Sequence, residues 1–250
     1  MKKKFNMKKK FSVIAEECTS LFRNIPGIII ALFTLACVLQ NLLANKTLVQ
    51  TEWLALDGGI LISWLSFMAM DIITKRFGPK AATRVSIIAM LVNLLACIIF
   101  FVVSIIPSNA DDYTVFNRIF GGTWFILLDS SIAFLASAVI NNFSNWSIGK
   151  MFKKNPDGKL AYCTRTYAST FIGQFLDNLI FAIPTFMIFA PLFWDGFSWT
   201  FIQCVTCALT GAVLELLMEV IFSPIGYKIT KIWAKEKVGQ EYIDKYVRKD

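Results

Sequence analysis

Six long apolar blocks organise the chain: 26–44, 57–74, 85–106, 123–148, 166–193 and 199–226. Polar residues inside them are sparse, and no block alternates strictly between apolar and polar. Backbone N–H and C=O groups cannot stay unpaired in hydrocarbon, so such a block is a helix or part of a closed barrel. Barrel strands alternate over about ten residues, which these blocks do not do. A helix crosses the bilayer core in about 20 residues. The expected fold is therefore an all-α integral membrane protein with six transmembrane helices. A basic, partly amphipathic arm (1–25) precedes the membrane domain (26–226), and a charged cytoplasmic helix (227–250) follows it. The first block begins too late and ends without the small-residue site of a cleaved signal, so it is expected to remain in the mature protein. Residues 107–122 form the longest outer loop, and Asn155-Pro156-Asp157-Gly158 is a turn signal.

Charge orients the blocks. Of 25 Lys and Arg residues, 23 fall before block 1, between blocks 2 and 3, between blocks 4 and 5, or after block 6. Only Lys46 and Arg118 fall on the other side, which also holds Glu52, Asp57, Asp111, Asp112 and Asp195. The positive-inside rule then places both termini in the cytoplasm, in a multi-pass plasma (inner) membrane protein. The net charge of +8 is read as topology and anionic-lipid contact, not as nucleic-acid binding. Trp53, Trp124, Trp194 and Trp199 fall near outer helix ends and read as an aromatic belt. Trp64 and Trp146 lie deeper, as candidates for a cavity wall.

Polar residues inside the blocks are the candidates for chemistry, because an intramembrane carboxylate costs at least about 2.5–3.5 kcal/mol. Asp177 is the sharpest case. It continues a stripe through Thr166, Ser169/Thr170, Gly173/Gln174 and Asp177/Asn178, whose spacing of three and four keeps one helical face. Block 4 carries a matching stripe of Ser130, Ser137, Asn141 and Ser144/Asn145. Two such helices can enclose a wet cavity, although Ser, Thr and Asn also serve simply as helix-to-helix hydrogen bonds. Arg165 stands at the inner mouth of block 5, as an anchor or a ligand contact. Asp71, one turn from the inner end of block 2, has Lys75 four residues on as a local partner. Glu215 and Glu219 share a face of block 6 and are proton-coupling candidates, with pairing to a basic residue of a neighbouring helix as the alternative. Asn93, Asn45 and Lys46 complete the set. Splitting the blocks 3+3 puts Asp71 and Asp177 on the middle helix of each half, as an inverted repeat would.

Little supports catalysis. The chain has no His, which removes Ser-His-Asp and Cys-His chemistry, and no P-loop for hydrolysing ATP. Cys204 and Cys207 form a CxxC inside an apolar helix with no second pair, and read as structural. No cofactor or metal is expected.

Several of these segments together resemble the vitamin uptake transporter family, also called queuosine precursor transporters. Asn41-Leu-Leu-Ala-Asn45-Lys46 is similar to its first-helix Asn-x-x-Ala-x-Lys signature. Asp57-Gly58-Gly59-Ile60, followed by Asp71-Ile-Ile-Thr74 and Phe77-Gly78, resembles its second-helix run. Ser131 to Ser137 resembles the start of its fourth helix. Arg165-x-x-x-Ser169-Thr170-x-x-x-Gln174-x-x-Asp177 matches best, and Ser223-Pro224 also fits. The chain departs from the family at Lys75 (usually Glu), Phe77 (Tyr) and Asn142 (Asp). A changed charge pattern bears on the substrate more than on the fold. The resemblance implies a six-helix importer of 7-deazaguanine queuosine precursors. Asp177 would accept the guanine-like N–H pair, Gln174 and Asn145 would meet carbonyl and ring nitrogens, and Trp64 or Phe67 would stack on the ring.

Two modes of action stay open. One is a carrier working alone by alternating access. The other is the substrate-capturing membrane subunit of an energy-coupling-factor importer, docked to a separate ATPase motor. The second calls for an Ala-x-x-x-Ala docking face, and Ala31 and Ala36 are five apart. Expected partners are a purine-like or vitamin-like small molecule and the lipid bilayer, with homo-oligomerisation left open.

Overall fold

The computed structural model describes residues 2–109, 113–121, 124–149, 151, 159–194 and 196–247. Asp111, Asp112, Asp195 and the 155–158 turn lie outside the described residues, as do the side chains of Asn145 and Trp146. Each of the six apolar blocks is helical. The elements are α1 (Lys2–Asn24), α2 (Gly27–Leu43), β1 (Thr47–Gln50), β2 (Ala55–Asp57), α3 (Ile60–Phe77), α4 (Pro79–Ser104), α5 (Tyr113–Gly121), α6 (Trp124–Gly149), α7 (Lys159–Ala182), a π-helical stretch (Ile183–Phe189), α8 (Ala190–Phe193), α9 (Phe201–Lys235), α10 (Gln240–Tyr242) and a terminal π-helical turn (Ile243–Val247). One addition to the all-α expectation is the antiparallel β1–β2 hairpin, with Thr47 opposite Asp57.

By length and composition, four stretches can cross a membrane: Pro79–Ser104, Trp124–Asn141, Cys163–Phe193 and Phe201–Lys235. A fifth is added if Ile14–Asn24 and Gly27–Leu43, bent by 102°, count as one span. The protein is thus a mostly helical, multi-pass membrane protein. Its surface agrees with that medium. On α4, Ile98 and Ile99 are each 52% exposed while Asn93 is 5% exposed, the reverse of a soluble helix, where a large exposed apolar band is avoided.

Helices α6, α7, α9, α3 and α2 pack in that order around an interior, with α2 touching α6 to close the ring. Helix α4 lies outside it against α2, α3 and α6. Symmetry between 3+3 halves would match the α3–α9 packing with one between α7 and α4. Those two are not close neighbours among the described residues.

Two prolines act inside long helices. Pro224 has no N–H for the Val220 carbonyl, and Ser223 Oγ donates to that carbonyl at 3.3 Å while also meeting the Tyr167 hydroxyl at 3.1 Å. Pro184 opens the π-helical stretch, where widened turns take up the missing bond.

At the C-terminal end, the segment read as one charged helix, 227–250, is broken after Lys235. Helix α9 runs to Lys235, and the chain turns at Gly239 (φ +66°) and folds back. Arg76 Nε and Nη2 donate to the Val238 carbonyl at 3.0 and 2.9 Å. Tyr242 packs against Phe77 and its hydroxyl donates to Glu17 Oε1 at 3.3 Å. Arg84 Nη2 donates to Glu17 Oε2 at 2.7 Å. That bond holds the Glu17 carboxyl below the usual carboxylate range, so its contribution is present above that range and lost as pH falls through the lowered value. A Cβ at Gly239 would overlap the Phe77 ring. Gly239→Ala should therefore lose the about 1–2 kcal/mol of a left-handed non-Gly backbone and more for the overlap, read as a lowered midpoint of thermal unfolding in detergent. An unchanged midpoint would mean that this fold-back does not support the helices.

Two of the four belt tryptophans differ from expectation. Trp199 is buried and stacks on Phe186 at 3.8 Å, and Trp194 packs on Phe125 at 5.2 Å. Trp53 and Trp124 stay exposed, as a belt requires.

Candidate functional site

Inside the helix ring is a small polar cavity of about 40 Å³. The end of α2 supplies Gln40 and Asn41, β2 supplies Asp57, the start of α3 supplies Ser63, α6 supplies Ser130, and α7 supplies Asp177, Asn178 and Phe181. The hairpin makes this possible. Gly58 and Gly59 lie against the last turn of α2, where a Cβ would come within 2.7 Å of the Leu43 and Gln40 carbonyl oxygens respectively. Asp57 Oδ1 accepts the Gly59 N–H at 2.7 Å, which fixes the carboxylate at the N-terminus of α3, where unpaired N–H groups favour an anion.

Asp177 holds one defined bond, from Ser137 Oγ to Oδ1 at 2.8 Å. Its neighbour Asn178 donates from Nδ2 to Glu215 Oε2 at 3.3 Å, and Ser63 Oγ also donates to Glu215. Glu215 therefore sits behind the cavity wall, tied to α3 and α7. About 40 Å³ seats about three or four waters at about 10–15 Å³ each. A fused-ring solute is larger, so in this conformation the cavity is constricted.

Other predicted residues stand elsewhere. Gln174 is fully buried between α7 and its neighbours, and neither amide atom has a protein partner. Asn141 on α6 is buried with Oδ1 unpartnered, lies against Gly173 and does not line this cavity. Asn45 bonds the α2 carbonyls of Leu42 (3.1 Å) and Asn41 (3.4 Å) and serves the helix end. Trp64 stacks on Phe222 at 4.4 Å, and Phe67 is buried in the apolar core; neither lines this cavity. Arg165 is twelve positions before Asp177 on α7, about 18 Å along the helix. Asp71 and Glu219 are side-chain neighbours between α3 and α9, and Thr170 faces Glu219 from α7. Asn145 lies on α6, and its side chain is outside the described residues.

Sequence reasoning passed over Asp129. It is 3% exposed on α6 and accepts from Thr185 Oγ1 at 2.8 Å, which ties α6 to the π-helical stretch. A carboxylate a few residues into an apolar block was a usable signal. Gln40, Asn41, Ser63 and Asp57 also entered the cavity without having been singled out for it; Asn41 had appeared as a motif residue, and Asp57 as a motif residue and an outer-side charge. Among the described residues, no three His, Cys, Asp or Glu converge as a metal site.

The arrangement offers carboxylate acceptors, amide groups able to donate and accept, and one aromatic face within a membrane-embedded ring. No curated protein and no solved structure matches the chain. A family model described as "Putative vitamin uptake transporter" matches residues 57–229, a stretch that contains α3 to α7 and the membrane part of α9. With more than two thirds of its length matched, this chain belongs to that vitamin uptake transporter family.

Proposed function

We infer that the protein is a plasma-membrane carrier that imports a small, flat, nitrogen-rich solute, a 7-deazaguanine queuosine precursor, by alternating access. The observation that carries this reading is the pairing of Asp177 and Asn178 on one wall of the cavity with Gln40 and Asn41 opposite and Phe181 beside them. A guanine-like edge presents adjacent N–H donors to a carboxylate and a carbonyl to an amide, and its ring offers a face to an aromatic side chain. The polar groups converge from α2, α3, α6 and α7, and Ala44, Ile60 and Phe181 form the apolar part of the lining. The cavity must widen to take such a solute, as alternation requires. Six crossings complete the scheme, with α2 and α3 as spans beside the four clear ones. Both termini are then cytoplasmic, and the basic α1, bent sharply from α2 at Pro26, lies along the inner surface.

Proteoliposomes containing only this protein test the reading. Labelled 7-cyano-7-deazaguanine should enter and be competed by unlabelled 7-deazaguanines but not by thiamine or biotin. Binding without entry would instead favour the energy-coupling-factor mode, with an ATPase motor missing from the vesicle. Neither binding nor entry would remove the solute class.

A further inference from the structure

Two contacts set the register of α7 against α9. Thr170 faces Glu219, and Asn178 donates to Glu215. Residues 170, 174 and 178 share one face of α7, and 215 and 219 share one face of α9. The helices run antiparallel, so Gln174 falls between the two glutamates. It is 0% exposed, and neither Nε2 nor Oε1 has a partner. From α3, Asp71 completes the group through its contact with Glu219. Asp71 Oδ2 and Glu219 Oε2 are buried with no protein donor. Continuing along the row, Ser63 joins Glu215, and Asp177 and Asp57 lie beyond at the cavity. The result is a line of oxygen and amide groups from the inner third of α3 to the solute cavity, and the transport reading given above uses only its outer end.

Two carboxyl groups in contact away from water cannot both carry charge, because like charges at contact in a low dielectric repel strongly. Lys75 is the basic side chain whose charge reaches Asp71. Lys75, one turn on from Asp71, lies over the Tyr227 ring at 4.7 Å. The other groups facing Glu219 are Thr170, Glu215 and, one turn further on, Tyr167, which meets Ser223. A metal cation would need several oxygens around an open centre, whereas here the two carboxyls meet directly.

We propose that Asp71 and Glu219 hold one exchangeable proton between them, and that Gln174 and Glu215 link this proton to the solute cavity, so that uptake is driven by the proton gradient. The inference rests on the carrier reading for its coupling, but the proton site is tested separately. On protonation the pair is a neutral acid bonded to a carboxylate. On release to the cytoplasmic side both carboxyls carry charge, their contact opens, and α3 is freed to move against α9. Each turnover then returns one proton with one solute.

The experiment uses full-length protein in vesicles with labelled 7-cyano-7-deazaguanine. A one-unit inward proton gradient should raise net accumulation up to about tenfold per coupled proton, while solute exchange without a gradient is unaffected. Glu219→Gln and Asp71→Asn should keep exchange and lose the gradient response. Accumulation indifferent to pH, or driven by sodium instead, overturns the proposal. So does a Glu219→Gln protein that still responds. Infrared difference spectra between acidic and alkaline buffer need no solute. The wild type should show a carboxylic-acid C=O band that Glu219→Gln removes, and its persistence in that variant overturns the site. If no deazaguanine is exchanged, the carrier reading falls while the band still decides the proton site.

Discussion

Vesicles carrying Asp177→Asn should take up labelled deazaguanine at least about tenfold more slowly than wild type, the loss expected when a hydrogen bond to a charged group worth about 1.5–3 kcal/mol is removed. Asn keeps the size of the side chain and can still accept from Ser137 Oγ, the bond now 2.8 Å long. The fold should therefore survive, with a thermal midpoint close to wild type. What disappears is the charge that receives two N–H groups together. Ser137→Ala removes only one neutral donor from the same carboxylate, and it should slow uptake by a smaller factor, about two- to tenfold. Equal uptake by Asp177→Asn and wild type, in protein of equal stability, would move the solute away from the cavity between α2 and α7.

Asp177 was legible because a carboxylate in the middle of an apolar block has few bland explanations. Its stripe along α7 was equally readable, since helical periodicity alone puts Thr170, Gln174 and Asn178 on one face. What those residues face could not be read. The contact of Asp71 with Glu219 depends on how α3 sits against α9, and local sequence offered Lys75 as the nearer partner. Asp57 looked like an outer-loop charge until the β1–β2 hairpin, a feature outside the helical reading, turned it back toward the end of α2. Asp129 was hidden by its position close to a predicted outer helix end, where a charge is cheap. Its bond to Thr185 depends on the π-helical stretch, which Pro184 marked but did not describe. Trp64 and Phe67 were chosen as aromatic residues at the right depth. Depth does not fix direction, and one stacks on Phe222 while the other fills the core. The α3 block, with Asp71, Lys75 and Arg76 in its last turns, shows why charge alternation and apolar length give different span counts. Alternation needs only short crossings, whereas length and composition reject a helix whose inner end is charged.

Gly211→Val should destabilise the protein by about 1–3 kcal/mol, the usual cost of forcing extra methyls into a packed seam, and should also impair uptake. Gly211 lies where α9 meets α3 and α7. A Cβ there would come within 2.7 Å of Asn178 Nδ2 and 3.2 Å of Ile60 Cδ1. Close helix approach over a small residue is how membrane helices gain packing without a hydrophobic drive between them. The Ile60 contact closes one side, so the added side chain must push Asn178, and Asn178 is the residue that bonds Glu215 at 3.3 Å. One substitution thus strains the seam and breaks the link between the cavity and the buried glutamate. The two effects separate in a double variant. Adding Asn178→Ala makes room for the valine and should recover much of the lost thermal stability, because sites in contact do not add independently. Uptake should stay low, since the amide is still absent. Additive destabilisation in the double variant would mean that the strain falls on Ile60 and α3, and that Asn178 is not what sets the spacing of α7 and α9.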